Sequence, residues 1–133
     1  MGIITFLTMF WVHIWDDFHN QGILADMKCK DWWNKNYPDE LYKDDWAVAL
    51  TWHSLQWAIS IMFPILIYSF FSGAIYTTAF DTAFGIVVLM NTVIHFIVDN
   101  AKANKHKIGL YTDQILHVIQ ISATFLIMQP FAR

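Results

Sequence analysis

Charge is what this chain has least of. Only 14% of its residues are Asp, Glu, Lys or Arg, against roughly 25% in soluble proteins. Four stretches have none at all: residues 1–15, 46–80, 82–98 and 114–132. A soluble bundle needs polar outer faces on its helices, and the run from Trp46 to Phe80 supplies none with charge. Crossing the hydrocarbon of a bilayer takes about 20 mostly apolar residues, so the pattern predicts an integral membrane protein. The single cysteine, Cys29, rules out an intrachain disulfide, and its place in a lysine-rich loop suits a reducing cytoplasmic setting. The first run has no basic n-region and no A-x-A-like cleavage site, and it continues into Asp16, Asp17 and His19, unlike a secretory signal. A net charge of −3 with no basic stripe outside the loops argues against a nucleic-acid partner. There is no repeat and no low-complexity tract.

What is present reads as one all-α domain, 1–133, a polytopic up-and-down bundle of four transmembrane helices. The helices are expected at about 2–25, 46–71, 76–101 and 110–130. A long polar connection (26–45), a tight one at Ser72-Gly73 and a short basic one (102–109) join them. Pro64 falls inside the second helix, where in a membrane a proline kinks more often than it stops. Lys28, Lys30, Lys35, Lys43, Lys102, Lys105 and Lys107 lie in the first and last connections, and only Arg133 lies on the other side. By the positive-inside rule both connections face the cytoplasm and both termini the periplasm of a bacterial inner membrane. All seven tryptophans (11, 15, 32, 33, 46, 52, 57) lie toward the cytoplasmic side and read as an interfacial belt.

Each apolar run carries one histidine near its cytoplasmic end: His13, His53, His95 and His117. At 1.5 Å per residue each lies roughly 8–10 Å inside its helix. Spacing of i, i+4 places His13, Asp17 and Gln21 on one face of the first helix, and His95 with Asp99 on one face of the third, Asn91 a turn earlier. Asp113, His117 and Gln120 share a face of the fourth helix, and His53 neighbours Gln56 on the second. Ionisable groups at such depth cost a few kcal/mol each unless paired, so they point inward.

Histidines and carboxylates converging from several helices are how bundles build metal sites. Zinc takes His nitrogen and carboxylate oxygen, with three protein ligands and one open position where it is catalytic. The expected ligands of a divalent metal, zinc by its donor chemistry, are therefore His13, His53, His95 and His117. Asp17, Asp99 and Asp113 stand as catalytic candidates: further ligand, orienting group or general base. Lys28 and Lys102, with Gln21 and Gln114, are candidates for binding a phosphate or lipid head group at the rim. The other reading of the same residues is polar glue between helices, worth about 0.6 kcal/mol or somewhat more per contact. Asp16 and His19 are read as interfacial, Cys29 as a plain loop thiol, and the tryptophans as anchors.

Taken in order, His13-x-x-x-Asp17-Phe18-x-x-Gln21, Lys28, His53, His95-Phe96-x-x-Asp99-x-x-Lys102 and Asp113-Gln114-x-x-His117 span almost the whole chain. This pattern resembles a family of small bacterial and phage inner-membrane proteins classed as a domain of unknown function. It is also distantly similar to membrane-bound metal-dependent hydrolases. The resemblance implies membrane localisation, phage or prophage origin and, through the distant relatives, a metal. Some members carry a second histidine in the second helix, where this chain has Trp57 or Ala49.

Two functions follow as expectations. One is a metal-dependent membrane hydrolase acting on a lipid or phosphate-bearing substrate. The other is a non-enzymatic phage or bacterial effector that binds a host membrane protein, the cluster being structural. A chain of 133 residues has little room for both a core and a deep cavity, so a homo-oligomer in the lipid bilayer is expected under either.

Overall fold

The computed structural model describes residues 1–132; Arg133, the one basic residue assigned to the outer side, lies outside them. The described residues are helical and contain no strand. Their α-helices are α1 (Ile3–Trp15), α2 (Leu24–Met27), α3 (Lys30–Asn36), α4 (Asp45–Ser72), α5 (Thr78–Ala103) and α6 (Leu110–Met128). α1 packs on α4, α4 on α5, α5 on α6, and α6 back on α1. Two stretches, α4 with its preceding turn (Glu40–Ser72) and α5, are long and apolar enough to cross a membrane.

The helix ends follow local chemistry. Gly73 closes α4 in the left-handed region, φ 80°, a conformation glycine adopts without Cβ strain. Thr77 starts α5 by accepting a hydrogen bond from the Phe80 N–H, 3.2 Å, as N-cap residues do. Pro64 does not stop α4, which runs on to Ser72.

The first helix departs most from its expected span of 2–25. Its regular part ends at Trp15 and continues as a π-turn, Asp16–Asn20. Gly22, at φ 52°, then turns the chain into α2. The expected polar loop 26–45 is likewise partly helical, holding the end of α2, all of α3 and a 3-10 turn at Glu40–Tyr42. Asn104, at the end of α5, holds this segment down. Its Nδ2 donates to the Lys28 carbonyl, 3.0 Å, and its Oδ1 accepts from the Lys30 N–H, 2.7 Å.

The interior has two halves. Away from the loops it is apolar, with Met9, Ala58, Ile61, Met62, Ile65, Phe80, Val87, Ile121 and Met128 packed together. On the loop side the interior is polar, and there the expected residues meet.

Candidate metal centre

His53 on α4, His95 and Asp99 on α5, and Asp113 and His117 on α6 are all buried. Three of these histidines turn Nε2 to one centre. His95 Nε2 lies 3.2 Å from His53 Nε2. Asp99 sits between the rings: its Oδ2 is 3.3 Å from His53 Nε2, and its Oδ1 is 3.7 Å from His95 Nε2 and 3.5 Å from His117 Nε2. Asp113 Oδ1 lies 3.4 Å from His117 Nε2. The His95 and His117 rings stack, centroids 4.4 Å apart.

Two lysines hold these carboxylates. Lys28 Nζ donates to Asp99 Oδ2 at 2.7 Å, and Lys102 Nζ to Asp113 Oδ2 at 2.6 Å. Asp99 still faces the histidines with both oxygens, Asp113 with Oδ1. Asp113 Oδ1 has no hydrogen-bond partner among the described residues, nor has either nitrogen of His117. Three sets of donor atoms lie within 4.8 Å of one another: Asp17, His53 and His95; His95, Asp99 and His117; Asp17, Asp113 and His117.

Two protein ligands at about 2.0–2.1 Å from a tetrahedral zinc stand roughly 3.3 Å apart. The separations of 3.2 to 3.7 Å among His53, His95, Asp99 and His117 fall on or slightly above that edge. Asp99 and Asp113 are paired with Lys28 and Lys102, and Asp17 Oδ1 lies 3.9 Å from His53 Nε2. Buried charge of this kind is held by a counter-ion or by a proton on a neighbouring group.

His13 is buried with the others but has different partners. Its Nδ1 accepts the Trp57 indole N–H at 3.0 Å, and its Nε2 faces Gln114 Oε1 at 3.2 Å. An Nδ1 that accepts leaves the proton of a neutral ring on Nε2, which then donates to Gln114. Gln114 in turn donates from Nε2 to Asp17 Oδ2, 2.9 Å, and Asp113 Oδ2, 3.1 Å. Trp57, His13 and Gln114 thus form one chain of hydrogen bonds ending on two carboxylates. His13 lies in none of the three donor sets.

The two glutamines expected to bind substrate are spent inside the protein. Gln21 donates to Asp17, both to its carbonyl and to Oδ1, and Gln114 completes the chain just described. The lysines differ in access: the Lys28 side chain is 12% exposed and that of Lys102 33%.

Two expectations are corrected. Trp57 is no interfacial anchor; it is fully buried, stacked on His95 at 4.2 Å and bonded to His13. It stands where the resemblance led one to look for a second histidine in that helix. Asp16 is not interfacial either. It is buried, its Oδ1 taking hydrogen bonds from Gln56, 2.9 Å, and Asn20, 3.2 Å. Asp16 and Asp17 both fall in the π-turn, and both side chains face the inner side. His19 is exposed, its ring beside that of Trp15.

A second polar set lies one turn deeper, between α5 and α6. Gln120 Nε2 donates to Asn91 Oδ1 at 2.8 Å, and Asn91 Nδ2 to Thr124 Oγ1 at 2.9 Å. Outside the spans, burial holds the Cys29 thiol above its ordinary pKa, against the opposing pull of Lys28. No family model, curated protein or solved structure matches this chain.

Proposed function

We propose that the chain is a multi-pass protein of the bacterial inner membrane in which His95, Asp99 and His117 hold a divalent metal, zinc by its donor chemistry. In this reading α1, α4, α5 and α6 cross the bilayer up and down, with the cluster toward the cytoplasm and both termini in the periplasm. One observation carries the metal: buried imidazole and carboxylate donors from neighbouring helices sit at ligand-to-ligand spacing. The four-span topology is supported by what the helices expose. Ile4 on α1, Phe71 on α4, Leu89 on α5 and Leu126 on α6 are 78%, 81%, 65% and 66% exposed. Large apolar side chains on every long helix suit lipid as the surrounding solvent.

Three protein ligands leave one position open, the arrangement of catalytic zinc. A metal held there supplies a Lewis acid that lowers the pKa of water to about 7. His53 lies close enough to serve as a fourth ligand or to contact substrate. Asp113 Oδ1, 3.4 Å from His117 Nε2 and aimed inward, is the proton acceptor beside the site. Lys102, the more exposed lysine, is placed to meet an anionic group arriving from the cytoplasmic side. The reading is therefore a membrane hydrolase acting on a lipid or phosphate-bearing substrate.

A second reading has its own observation. The Lys28–Asp99 and Lys102–Asp113 pairs already neutralise two carboxylates and link separate parts of the chain. A purely structural cluster in an effector that binds a host membrane protein would have the same pairs. Metal analysis separates the two. Detergent-purified protein should carry about one zinc per chain by elemental mass spectrometry, lost in His95→Ala and His117→Ala variants that keep their helical circular dichroism. A metal-free native protein, purified without chelator and still free of metal after zinc addition, refutes the metal and leaves the structural reading.

A further inference from the structure

A groove of about 270 Å³ runs down the outside of the protein between α5 and α6, walled by Met90, Ile94, Val98, Leu116, Ile119 and Ile127. Its floor includes the buried Asn91, Gln120 and Thr124, which bond α5 to α6. Most of the walls are exposed: Met90 is 49%, Ile119 58% and Ile127 46% exposed, so the groove opens sideways. From Val87 to Val98 it follows α5 for roughly 16 Å at 1.5 Å per residue, the reach of a medium-length alkyl chain.

The stripe on α5 continues past the groove. Val87, Asn91, Ile94 and Val98 follow one another at three- and four-residue steps, and the next step is Lys102. Lys102 reaches across to Asp113 on α6, one helical step beyond the groove's last α5 wall, Val98, and Asp113 belongs with His117 to one of the neighbouring donor sets. The exposed Lys105 lies one turn farther on. An apolar slot of chain length, open to the side and ending on partly exposed ammonium groups, has the polarity of one lipid: hydrocarbon below, anion above.

We propose that this groove seats one acyl chain of a bilayer lipid bearing a phosphate head group, with the phosphate at Lys102 and the lipid entering sideways between α5 and α6. The proposal rests on the hydrolytic reading in one respect only, that the bound head group would lie beside the metal. Burial from water does not select the occupant, because a chain leaving the bilayer for the groove exchanges one apolar environment for another. Selectivity comes from the head group, and one lysine near a membrane surface favours an anionic lipid by about fivefold.

The test titrates the full chain in mild detergent with phosphatidic acid and with phosphatidylcholine, counting bound lipid by native mass spectrometry. The native protein should retain one phosphatidic acid in preference to phosphatidylcholine. Ala123→Trp, which fills the groove away from the cluster, should abolish that retention while keeping helicity. Lys102→Gln should lower the preference by about fivefold. Equal retention of the two lipids, or unchanged retention in Ala123→Trp, overturns the proposal. So does full displacement by glycerol phosphate, which would make the ligand a free phosphate. Conversion of an oligomer to a monomer by Ala123→Trp also overturns it, making the groove a contact between copies. Zinc content on the same samples keeps the readings apart: zinc without lipid preference refutes only the groove, and lipid preference without zinc refutes only the metal.

Discussion

Replacing Trp57 by Phe tests whether the hydrogen-bond chain from the indole sets the geometry of the candidate metal centre. The substitution keeps an aromatic ring to stack on His95 but deletes the N–H that reaches His13 Nδ1 at 3.0 Å. His13 is then a buried acceptor without a donor, at a cost of about 1–3 kcal/mol. The volume lost on going from indole to phenyl leaves a void in a fully buried site and adds roughly 1 kcal/mol. The consequence for metal is distinct from this. With Nδ1 unpartnered, the His13 ring is free to move its proton off Nε2, and Gln114 Oε1 loses the donor that fixes the amide. The amide then no longer has to donate to Asp17 Oδ2 and Asp113 Oδ2. Losing a ligand's own outer partner typically weakens affinity about 10- to 100-fold; Asp17 and Asp113 flank the proposed ligands, so the expected loss is at most about 10-fold. The assay is zinc competition against a chromophoric chelator, with thermal unfolding recorded in parallel. Trp57→Phe, His13→Leu and the double variant form a cycle. A continuous chain requires that Trp57→Phe have no further effect on zinc affinity once His13 is gone. Strictly additive losses of affinity would refute the reasoning, whatever the fall in stability.

Two further outcomes follow from the segment that caps the polar end of the bundle. Asn104→Ala removes both hydrogen bonds that hold the Lys28 and Lys30 backbone, at about 1 kcal/mol each; limited proteolysis should cut within residues 24–36 well before the native protein is cut, and equal resistance would show that the clamp is idle. Burial raises the Cys29 pKa, so the folded protein favours the thiol over the thiolate. Below the unfolded-state pKa the preference supports folding in full, and it is lost as pH rises through the higher folded-state value. Iodoacetamide labelling of Cys29 near neutral pH should be slower in the folded chain than in detergent-denatured chain, and an equal rate at every pH would refute the shift.

How much of this was legible in the sequence depends on which property is asked for. The depth of each histidine is a matter of counting along apolar runs, and it holds: His53, His95 and His117 meet at one level, with Asp99 and Asp113 beside them. Rotation about each helix axis is not a matter of counting, and it separates His13 from the others by giving it Trp57 and Gln114 as partners. Trp57 itself was misread because an indole on a membrane helix has two uses, anchor at the interface or buried donor, and composition cannot tell them apart. The π-turn left a fainter mark. In a regular helix Asp16 and Asp17 stand about 100° apart, so one of two adjacent carboxylates should face outward, and the sequence reading placed Asp16 there. An aspartate facing lipid or the crowded interface would still need partners, and Gln56 on α4 and Asn20 one turn on are the groups that accept that role once the helix widens. Two neighbouring acids with matching amides four residues on and on the next helix are thus the visible trace of a local widening. Within this turn Asp17 accepts hydrogen bonds from both Gln114 on α6 and Gln21 four residues on. A single-residue deletion within 16–20 that restores a regular helix should therefore turn one of these carboxylates outward, and with it weaken whatever the cluster holds.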